Sequence, residues 1–77
     1  MSEDTENDGS IRYVLISARQ KAGLTQKELS RRTGIAQGDI SKLEHGNSNP
    51  SVRTLQRLAA GMGMTLRIDF VPIRENK

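Results

Sequence analysis

No cysteine occurs anywhere in the 77 residues, so neither a disulfide staple nor a thiolate metal site can be built, and the chain suits a reducing compartment. His45 is the single histidine. Without cysteine beside it no zinc site is expected, and nothing else in the sequence asks for a cofactor. No apolar run is long enough to cross a bilayer, and the N-terminus lacks the basic-then-apolar order of a secretion signal. The expectation is a soluble, cytoplasmic protein that does not act at a membrane. A domain this short buries only about 60% of its unfolded surface, so its stability is expected to be marginal.

What is present begins with charge. The net balance is +3, but four of the nine acidic residues, Glu3, Asp4, Glu6 and Asp8, fall in the first nine positions. With those four set aside, 12 basic residues face five acidic ones, a body near +7. A compact basic domain favours a polyanionic partner through counterion release. Residues 1–9 themselves carry no apolar residue after Met1 and no periodicity, and are expected to be a disordered acidic arm. Such a segment serves as a solubilising tail, or as a screen that competes with DNA phosphate.

Residues 10–63 have helical periodicity. Ser10 stands as an N-cap before a stripe of Ile11, Val14, Leu15, Ala18 and Ala22, with Gly23 as the stop. Thr25 followed three residues later by Glu28 is a capping box for a second helix, anchored by Leu29 and ended at Gly34. A third helix, roughly Gln37 to His45, places Ile40, Leu43 and Glu44 on one side and Gln37, Gly38, Ser41 and Lys42 on the other. The polar side is a candidate base-reading surface. Glutamine offers adenine a paired donor and acceptor, lysine donates to the guanine edge, and Ser41 bonds a base or a phosphate. Glu44 on the inner side needs a fixed cation, and Arg19 of the first helix is the expected partner. Asp39, Ser41 and His45 lie too close on one short helix to orient a catalytic base, so no enzyme is expected.

After Gly46, the turn-rich Asn47, Ser48, Asn49 and Pro50 form a connector whose asparagines suit phosphate contacts. Ser51 caps a fourth helix with the stripe Val52, Leu55, Leu58, Ala59 and Met62. Gly61 is expected to weaken its last turn by about 1 kcal/mol relative to alanine, and Arg53 and Arg57 are expected to be solvated. The period then changes. Over 64–72, Met64, Leu66, Ile68 and Phe70 alternate with more polar positions until Pro72, as in a half-buried strand. A lone strand leaves an open edge, so pairing with a second copy or with another protein is expected. Residues 73–77 are a short tail.

The pattern Gln26, Leu29, Gly34, Ile35, Ile40, Ser41, Leu43, Glu44 and Gly46, followed by Pro50, Leu55, Leu58, Ala59 and Gly63, resembles the lambda-repressor-like helix-turn-helix domain of Xre/Cro/CI regulators. The resemblance implies a mainly α, four-helix domain, here with the C-terminal β-strand paired across a dimer. It also implies a phosphate contact by Gln26, base-facing roles for Gln37, Gly38 and Lys42, and the Arg19 and Glu44 pair. Gly38 departs from the family, whose members often carry a reading side chain there. The segment from Gly61 to Pro72 resembles the C-terminal part of HigA-like and HipB-like antitoxins. The function so implied is a homodimeric transcriptional repressor of an inverted-repeat operator, acting as the antitoxin of a toxin-antitoxin module. The alternative is an interaction module that holds a toxin or other partner, with DNA secondary.

Overall fold

The computed structural model describes residues 3–46 and 48–74, with side-chain detail from residue 11 onward. Four helices follow one another: α1 (Glu3–Lys21), α2 (Gln26–Thr33), α3 (Gln37–Glu44) and α4 (Val52–Gly61). α1 and α2 pack on α3, and α2 also packs on α4. Leu15, Leu24, Leu29, Ile35, Ile40, Leu43, Leu58 and Ala59 form the buried core. Leu29, Ile40 and Leu58 are sealed from solvent and sit one each on α2, α3 and α4, so each helix contributes about 1.5–3 kcal/mol at its most buried position.

Local chemistry places the helix ends. The Thr25 hydroxyl accepts the Glu28 amide at 3.0 Å while the Thr25 amide donates to the Glu28 carboxylate at 2.8 Å. These bonds also hold the exposed Glu28 carboxyl below its ordinary range, the Thr25 amide contributing most. At the other end Gly34 adopts φ 78°, and its amide donates back to the Ser30 carbonyl at 2.8 Å. Ser51 caps α4 by accepting the Thr54 amide.

The structure departs from the sequence expectations at three points. α1 begins at Glu3, so Ser10 lies inside the helix, and residues 3–9, expected to be disordered, are helical. An acid-rich sequence suits the positive end of a helix dipole. The apolar stripe of α1 is also split: Leu15 is buried, but Ile11 and Val14 are 47% and 66% exposed. α1 packs chiefly on α3, and one neighbour covers a narrower arc than a full amphipathic stripe. Finally, no strand occurs among the described residues. From Met64 to Arg74 the chain carries no ladder, because a single copy supplies no second strand to receive its amides and carbonyls. Arg67 Nε meets Asp69 Oδ2 at 3.1 Å, a pair two residues apart on one side of the backbone, as an extended segment requires.

Candidate nucleic-acid interface

The connection between α2 and α3 is pinned by two hydroxyls. Ser30 Oγ donates to the Ile35 carbonyl at 2.6 Å; Thr33 Oγ1 donates to the Leu29 carbonyl at 2.8 Å and accepts the Ile35 amide at 3.1 Å. α3 therefore leaves α2 in a set direction. Its inner side is Ile40, Leu43 and Glu44, all buried. Its outer side carries Gln37, Gly38 and Lys42, all exposed, with Ser41 half-buried.

Glu44 ties three helices together. Arg19 donates to it through Nε at 2.7 Å and Nη2 at 2.9 Å, a two-point fork, and spends its Nη1 on the Leu24 carbonyl at 2.9 Å. Gln26 Nε2 adds a third bond to Glu44 at 3.0 Å. Burial pushes the Glu44 carboxyl up, but the bonds from Arg19 and Gln26, with the Arg19 charge, outweigh it and hold the group below its ordinary range. The Arg19 guanidinium is correspondingly raised by the Glu44 hydrogen bond. α3 is thus clamped from behind by charge as well as by packing.

Of the remaining expected contacts, Gln26 is half-buried beside Glu44 and Asn49 is exposed on the connector, whereas Asn47 lies outside the described residues. Arg57, expected to be solvated, instead donates to the Thr33 carbonyl at 2.7 Å, and Arg32 donates to the Gly61 carbonyl at 3.2 Å. Each cation rests on the C-terminal end of the other's helix, where a positive charge is favoured. Sequence spacing has no signal for this pairing, since it depends on α2 and α4 lying side by side. Ser41 Oγ and His45 Nδ1 lie 3.4 Å apart, but the same Nδ1 is 2.7 Å from the Ser41 carbonyl. A bond to a carbonyl needs the proton on Nδ1, so that nitrogen is not free to take the serine proton.

A family model described as helix-turn-helix matches residues 15–68. The chain belongs to the helix-turn-helix family. A helix-turn-helix relative, an uncharacterized HTH-type transcriptional regulator of Haemophilus influenzae, is 43% identical over 77 residues, covering 95% of this chain and 76% of that one. The antitoxin HigA1 of Mycobacterium tuberculosis is 35% identical over 66 residues, covering 86% of this chain and 44% of its own length. The helix-turn-helix chain therefore spans less than half of that antitoxin. Among solved structures, a toxin-antitoxin module from Streptococcus pneumoniae aligns with a TM-score of 0.67 at 27% identity, covering 95% of this chain and 83% of that one. Among the described residues no helix is long and apolar enough to cross a membrane.

Proposed function

We propose that this helix-turn-helix protein is a sequence-specific transcriptional repressor that binds an inverted-repeat operator as a homodimer and serves as the antitoxin of a toxin-antitoxin pair. The observation that carries the proposal is the two-sidedness of α3: Glu44 is locked behind it while Gln37, Gly38 and Lys42 stand in solvent. Two such helices, related by a two-fold axis, fit successive major grooves about 34 Å apart. Gln37 and Lys42 read bases, Ser41 bonds a base or phosphate, and Gln26, Asn47 and Asn49 hold the backbone. The relatives that are regulators and an antitoxin support this reading.

Selection of duplexes from a random library by the full chain tests it. The wild type is expected to enrich an inverted repeat and to bind it more weakly as salt rises. Lys42→Ala is expected to lose about tenfold on the selected duplex while keeping its affinity for random DNA, whereas Gln26→Ala weakens both alike. A wild-type protein that binds every duplex equally would defeat the proposal.

The dimer is proposed to form through residues 64–72. Ile68 and Phe70 are 56% and 100% exposed, so the Met64, Leu66, Ile68 and Phe70 face is open to pair with the same strand of a second copy. Sedimentation should show a dimer that a double change, Ile68→Ser with Phe70→Ser, converts to monomer. A second reading, in which the chain chiefly holds a toxin, is favoured by the outward Ile11, Tyr13 and Val14 of α1, which stay exposed among the described residues. Co-purification with the product of the adjacent reading frame, retained by a variant that no longer binds DNA, is its expected mark.

A further inference from the structure

Arg12 and Arg19 both reach from α1 towards α3, and they are satisfied very differently. All three guanidinium nitrogens of Arg19 bond. Arg12 has one long contact of 3.4 Å from Nη1 to the His45 carbonyl and one bond of 3.1 Å from Nη2 to the Tyr13 hydroxyl, and its Nε is buried with no partner. Among the side chains described, which begin at residue 11, no carboxylate pairs with it. Its guanidinium is held over the Tyr13 ring at 4.8 Å and passes beside Gly46, where a β-carbon would come within 3.3 Å of its Cδ and 3.4 Å of its Nη1. A cation is thus set at the C-terminal end of α3, its Nε without a bond.

We infer that Arg12 is a DNA-backbone contact, its guanidinium gripping a phosphate at the rim of the groove that α3 enters. The inference rests on the DNA-reading role proposed for α3. With the N-terminal Gln37 of this eight-residue helix at the base edges, its C-terminal end, about 12 Å away, is the one left to meet the sugar-phosphate wall. The planar, weakly hydrated fork suits a phosphate there better than it suits a lone carbonyl.

The test is the salt dependence of binding by the full chain, with both a library-selected duplex and random duplex as probes. Arg12→Gln should lower the slope of log affinity against log salt by about 0.9, the value of one lost phosphate contact, equally on both probes and with little change in melting temperature. Arg12→Lys should keep the wild-type slope. An unchanged slope in Arg12→Gln, whatever its affinity, overturns the inference and leaves Arg12 as a support for α3. Should Arg12→Gln not fold, the Arg12 Nε–H resonance of the labelled wild type decides: it should shift on adding duplex, and an unmoved signal overturns the inference. A wild type that selects no sequence is a different failure, that of the reading helix, and the random-duplex slope still judges Arg12.

Discussion

Glu44→Ala is expected to lower the free energy of unfolding by about 3–5 kcal/mol, a large share of the 5–15 kcal/mol that typical domains possess. The side chain is 4% exposed and Arg19 is 15% exposed, so the substitution strands a guanidinium and the Gln26 amide without their acceptor. Replacing both partners by apolar residues, Arg19→Met with Glu44→Leu, should cost far less than either single change, because the penalty lies in leaving one charge unpaired. Urea titrations of the single and double variants at neutral pH check this, and equal losses in all three would refute the clamp. Acidity should reach the same bond. The Glu44 carboxyl sits lower in the folded chain than in the unfolded one, so its stabilisation is present above the unfolded value of about 4.3 and drains away as pH falls through the folded value. Between neutral pH and strong acid, wild type should lose more stability than Glu44→Gln, which has no such proton to take up.

Gly61→Ala should destabilise the domain by about 1–3 kcal/mol, against the helix propensity that would have it gain up to about 1 kcal/mol. A β-carbon on Gly61 collides with Thr33 Cγ2 and comes within 3.3 Å of Leu29 Cδ1. Thr33 has little freedom to turn aside, since its hydroxyl holds the Leu29 carbonyl and the Ile35 amide. Thr33→Ser removes the methyl and keeps the hydroxyl, so adding it to Gly61→Ala should recover most of the loss. Thermal melts of the four proteins measure the coupling. A higher melting temperature for Gly61→Ala alone would mean that α2 and α4 do not approach as closely as described. If α3 reads DNA as proposed, affinity should fall with the same variant and return with the same rescue, because Thr33 shapes the exit from α2 into α3.

The two predictions separate what is legible in sequence from what is not. Glu44 can be matched to Arg19 in the sequence because an acid on the inner side of a short helix needs a fixed cation and the family resemblance supports that pair. For Gly61 the sequence offers only its low helix propensity. Its β-carbon position is decided by Thr33, 28 residues earlier in the chain, and only the packing of α2 on α4 brings them together. Arg57 and Arg32 were unreadable for the same cause, each capping a helix that is remote in sequence.

The amino-acid order alone determined the capping box at Thr25 and Glu28, the stop at Gly34, the cap at Ser51 and the opposed faces of α3, because those interactions close within about one helical turn. The assembled chain decided which arc of α1 is covered, where Arg12, Arg32 and Arg57 rest, and that residues 64–74 run without a ladder in one copy. Those outcomes turn on which neighbour each surface meets, and a neighbour's position is set by the packing of the whole core rather than by any residue's own flanks.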